Sequence, residues 1–132
     1  MNLARLEKLV YKSGKVLLNV PYDTSNYTVI QNLNWLLPAE RLLYHRSIIM
    51  FKCLNSLWPT YITEKFENPS HHYNTRQSQH LKLTKCKTNY GQRTFQFFGA
   101  KTWNSLPKYI QDAETIYSFK SNLLKHIFAN RQ

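Results

Sequence analysis

The sequence predicts a mostly α-helical protein, a helical bundle followed by C-terminal helices, with at most one short strand or hairpin near 81–87. Apolar residues recur at steps of three and four through most of the chain, prolines and cap-forming residues separate those stretches, and strict apolar–polar alternation occurs in one short place. At 132 residues the chain suits one cooperative domain able to bury a core without staples, and 14% aromatic residues predict that this core is rich in rings.

From Asn2 to Leu18, Leu3, Leu6, Leu9, Val10, Leu17 and Leu18 lie at helical spacing opposite Arg5, Lys8, Lys12 and Lys15, giving an amphipathic helix weakened by Gly14. After a loop holding Pro21 and Asp23, Ser25 or Asn26 can cap a second helix that carries Val29, Ile30 and Leu33 and stops near Asn34. Pro38 suits the first turn of a central helix, and Glu40 complements its dipole. The polar residues Arg41, His45, Lys52 and Ser56 make only a narrow stripe on it, so most of its circumference should be covered by protein. Trp58-Pro59 breaks this helix, and Pro59 can start a short one reaching Phe66.

Residues 67–80, with neither periodicity nor apolar content, read as a linker. Leu81 to Lys87 alternates, with its lysines on one side, as a short half-buried strand or an extended segment would. Phe95, Phe98, Trp103 and Leu106 then predict one helix over about 90–106 with those rings in the core, leaving Phe97 on another face. Pro107 ends it, and Asp112 or Thr115 can cap a final helix whose apolar face is Ile116, Phe119, Leu123, Leu124, Ile127 and Phe128.

Charge narrows the function. Eighteen basic against seven acidic residues give a formal +11, which repels itself unless a polyanion is near, and no acid occurs between Asn68 and Gln111. The expected partner is nucleic acid, held through phosphates by Arg76, Lys82, Lys85, Lys87, Arg93 and Lys101, with Tyr73 and Phe97 as stacking candidates. No apolar run approaches a membrane span and no signal sequence is evident, so an intracellular protein without a membrane partner is expected.

No catalytic constellation is visible. The seven acids are scattered, no glycine loop cradles a phosphate, and a dyad of Cys86 and His80 has no third group to orient it. His71, His72 and His80 precede Cys86 without the paired spacing of a zinc site, and Cys53 and Cys86 form no disulfide framework, so neither metal nor other cofactor is expected. "GQRTFQF" (91–97) has the composition of a base-stacking strand of RNA-recognition domains but in the wrong order, and without the four strands such a domain needs.

Four motifs in order, "LNWLLPAERLLYHRSIIMFKCLNSLWPTYI" (33–62), "YNTRQ" (73–77), "KTNYGQRTFQFFGAKTWNSLP" (87–107) and "SFKSNLLKHIF" (118–128), together resemble the C-terminal end of reverse transcriptases of LINE-type retrotransposons, those lacking long terminal repeats. "LARLEKLVYKSGKVLLNV" (3–20) is similar to the helix entering the polymerase thumb. The resemblance implies a thumb-like bundle over 1–66, a basic linker over 67–80 and a C-terminal helical region over 81–132 packing on it. The family's fingers and palm carry the polymerase carboxylates, and no Asp-Asp pair occurs here, so no enzymatic activity is expected of the chain itself. The implied role is holding RNA or an RNA–DNA hybrid, with target DNA a further candidate, in a ribonucleoprotein of nucleus and cytoplasm. The alternative is a scaffold from a truncated or domesticated element, whose partner is the rest of a polymerase or a cellular protein. A Cys- and His-rich knuckle found in some related elements has no counterpart in this spacing, and oligomeric state is not implied.

Overall fold

The computed structural model describes residues 2–66 and 80–131, which are helical with no strand among them. The fold is therefore mostly α, as the periodicities require. The chain forms two compact units, Met1–Leu43 and Tyr44–Gln132.

In the first unit, α1 (Leu3–Leu18) ends at Asn19, whose left-handed φ of 51° lets its N–H close on Lys15 and Val16 carbonyls. α2 (Asn26–Leu33) ends the same way at Asn34, φ 50°. Asparagine tolerates this conformation better than most residues, which is why both helices stop there. Between them Lys15 Nζ donates to the Tyr22 carbonyl at 2.7 Å and sits 5.1 Å from the Tyr22 ring centre, pinning the loop. Gly14 does not interrupt α1. It is buried, and a Cβ there would stand 2.6 Å from Val29 Cγ1 and 3.1 Å from Leu33 Cδ1, so its missing side chain lets α1 and α2 approach. α3 (Pro38–Leu54) begins in the first unit with Pro38 at its first position, and Glu40 Oε2 accepts the Leu37 N–H at 2.8 Å.

The second unit takes the rest of α3 and builds a ring-rich core on it. Phe119 stacks on Phe51 at 4.5 Å and on Trp103 at 5.9 Å, surrounded by buried Met50, Ile110, Leu123 and Ile127. The elements that follow α3 are α4 (Thr60–Thr63), α5 (Asn89–Gln92), α6 (Phe95–Ser105), α7 (Lys108–Gln111) and α8 (Ile116–Ala129), of which α6, α7 and α8 bury residues in the core. Thr115 caps α8: its hydroxyl accepts the Ser118 N–H at 3.2 Å while Ser118 Oγ accepts the Thr115 N–H at 3.3 Å.

The structure corrects two expectations. The helix expected over 90–106 is two helices, because Thr94 is extended (ψ 148°) and turns its hydroxyl back to donate to the Gly91 carbonyl at 2.7 Å. That break re-phases the rings: Trp103 is buried, but Phe95 and Phe98 are 37% and 40% exposed while Phe97 is half-buried. Residues 81–87 take the second of the two forms expected of them, an extended segment that pairs with no strand among the described residues. Leu81 is instead held by the side chain of Asn104, which accepts the Leu81 N–H at 2.8 Å and donates to its carbonyl at 2.9 Å, while Leu83 stays exposed. Pro107, besides ending α6, stands in extended conformation (φ −58°, ψ 146°) at the N-cap of α7, where its carbonyl accepts the Ile110 N–H at 3.0 Å and the Gln111 N–H at 3.3 Å.

Candidate nucleic-acid interface

Tyr73, Arg76, His71 and His72 lie outside the described residues, as does nearly all of the expected linker. Lys82, Lys85, Lys87, Arg93 and Lys101 are all exposed. The local folding gathers them into two groups.

Lys82 follows the clamped Leu81, and Lys101 stands three residues before the clamping Asn104 on α6, so both flank the same pair of hydrogen bonds. The second group surrounds α5. A Cβ on Gly91 would lie 3.1 Å from Cys86 Cβ, so the extended segment runs directly beside this turn, and the Thr88 hydroxyl closes the approach by accepting the Gly91 N–H at 3.2 Å. Lys85 and Lys87 flank that contact. Arg93 ends the turn with its guanidinium carbon 6.0 Å from the centre of the Tyr90 ring.

Tyr90, 83% exposed, is a stacking candidate the sequence did not single out. The signal was present in its position between Lys87 and Arg93, but the single-helix reading gave no reason to turn it outward. Phe97, half-buried on α6, offers less ring to a partner.

Arg46, on α3, is a different kind of cation. Its guanidinium lies 4.4 Å from the Phe98 ring centre and donates to Thr102 Oγ1 at 3.4 Å, and burial pushes its pKa below the usual arginine value. Half-buried, it fastens α3 to α6. Burial likewise raises the Cys53 thiol, which is fully covered, while Cys86 is half-buried; both are free.

Among the described residues no three His, Cys, Asp or Glu side chains gather to hold a metal ion, and no helix is long and apolar enough to cross a membrane. The arrangement offers exposed cations and an exposed ring. No protein-family model, curated protein or solved structure matches the chain.

Proposed function

We propose that the chain is a non-catalytic, sequence-tolerant nucleic-acid-binding module that holds RNA or an RNA–DNA hybrid through phosphates, as the resemblance to the C-terminal region of LINE-type reverse transcriptases suggests. The observation that carries this reading is the exposed set Lys82, Lys85, Lys87, Arg93 and Lys101 with Tyr90 beside Arg93, in a stretch of sequence that itself contains no acid. Phosphate contacts of this kind release counterions, so log affinity should fall against log salt with a slope of roughly −3 to −5. Changing Lys85 and Lys87 to Gln should make the slope shallower by about 0.7 to 0.9 per residue. Fluorescence anisotropy against single-stranded RNA, duplex DNA and a hybrid at several salt concentrations tests this, and a salt-independent titration or no binding at low salt refutes it.

A second reading, a protein-interaction module, is favoured by one observation on α1. Leu6, Leu9, Val16 and Leu17 share a face, and Val16 and Leu17 are 81% and 64% exposed. With Val10, Trp35 and Leu36 the first two line a groove of about 510 Å³ in the first unit. Self-association by light scattering, with nucleic-acid affinity indifferent to Lys85 and Lys87, would select this reading.

A further inference from the structure

A second cavity lies in the second unit, between α4 with its flanking residues and the start of α6. It encloses about 550 Å³, within the range of small-molecule sites, and four of its walls are rings: Trp58, Tyr61, Phe66 and Phe95. Phe66 and Phe95 meet edge to face at 5.8 Å, and Gln96 Nε2 donates to the Lys65 carbonyl at 3.0 Å, tying α6 to the segment that follows α4. Tyr61 is 67% exposed, so its ring is offered to the cleft rather than spent in the core.

Cations stand close to this cleft. Lys65 lines it, Lys52 Nζ lies 5.2 Å from the Trp58 ring centre, and Arg93 immediately precedes the lining residues Thr94, Phe95 and Gln96; among the described residues none of the lining is acidic, while exposed Glu64 stands between Ile62 and Lys65 in the sequence. Flat apolar walls with cations at the rim suit a planar aromatic group attached to an anion. An aliphatic chain would gain nothing from the cations, and a cationic ligand would be repelled by them.

We infer that this cleft receives an unpaired nucleobase of a single-stranded nucleic acid, stacked on Tyr61 and Phe95, with the flanking phosphates on Lys65 and Arg93. Arg93 belongs to the basic group around α5 and is joined directly to the lining residue Thr94, so the strand's backbone can run from one to the other. The Thr94 hydroxyl, which donates to the Gly91 carbonyl, keeps lone pairs able to accept from a base N–H. This inference rests on the nucleic-acid reading and sharpens it: the preferred ligand is a strand with exposed bases, whereas phosphate contacts alone are indifferent to pairing.

The test uses the whole chain and three labelled probes of equal length at one low salt concentration: a single strand, the same strand carrying abasic sites, and a duplex. The intact single strand should bind about tenfold more tightly than the abasic strand, the worth of one stacked base. Tyr61→Leu and Phe95→Leu should each abolish most of that difference while abasic and duplex affinities stay unchanged. Tyr61 is exposed, so Tyr61→Leu leaves the fold intact by circular dichroism and decides the matter even if Phe95→Leu does not fold. Equal affinity for intact and abasic strands, or a Tyr61→Leu loss shared by all three probes, overturns the base-pocket inference while leaving phosphate binding standing. Failure of all three probes to bind overturns both.

Discussion

Gly14 and Gly99 sit in helix interiors for the same reason, a close neighbour, but the neighbours differ in stiffness. A Cβ at Gly14 would meet the β-branched Val29, fully buried, at 2.6 Å; a Cβ at Gly99 would meet the Met50 sulfur at 2.7 Å, on a side chain with three soft torsions. Alanine gains about 1 kcal/mol over glycine in a helix, against an overpacking cost of about 1–3 kcal/mol. Gly14→Ala should therefore destabilise by about 1 kcal/mol and Gly99→Ala by less, compared by urea unfolding. The two thiols divide as sharply. Cys53 is covered and its pKa raised, so an alkylating reagent should modify Cys86 in the native protein and reach Cys53 only on unfolding. Because the unfolded chain ionises the Cys53 thiol before the folded one does, that group costs stability as pH rises through and above the ordinary thiol range.

At the scale of elements, the extended segment at 80–88 is held by a side chain instead of a sheet. Asn104 reproduces both hydrogen bonds that a neighbouring strand would supply to Leu81, whose backbone is buried with a side chain only 4% exposed. Asn104→Ala leaves a donor and an acceptor unmet, at about 1–3 kcal/mol. The segment carrying Lys82, Lys85 and Lys87 should then detach locally, seen as faster tryptic cleavage after those lysines and a weaker salt dependence of RNA binding. At α8 the capping box makes Thr115→Ala cost about 1 kcal/mol by thermal unfolding. The ends of α1, α2 and α3 were legible because Asn19, Asn34 and Pro38 have strong local preferences that packing did not override. The break at Thr94 was not, since the apolar spacing runs across it and a threonine hydroxyl bonding backward leaves no mark on periodicity.

For the whole molecule the governing quantity is +11. Cations that repel one another destabilise the folded chain and attract a polyanion, so added sodium chloride should act in opposite directions. It should raise the melting temperature of the free protein while lowering its affinity for RNA; a parallel fall of both would mean that self-repulsion is not what sodium chloride relieves. The sequence by itself determined the helical class, most helix ends, a ring-rich core and a long stretch of unbalanced positive charge, because these depend on local spacing, local backbone preference and composition. Tertiary structure alone decided which part of each apolar arc is covered. It left Leu9, Val16 and Leu17 exposed on α1, turned Phe95 and Phe98 outward, paired Leu81 with a side chain 23 residues away and formed the aromatic cleft beside Arg93. Burial is settled by which other element arrives on a face, and contacts made across tens of residues have no period in the sequence.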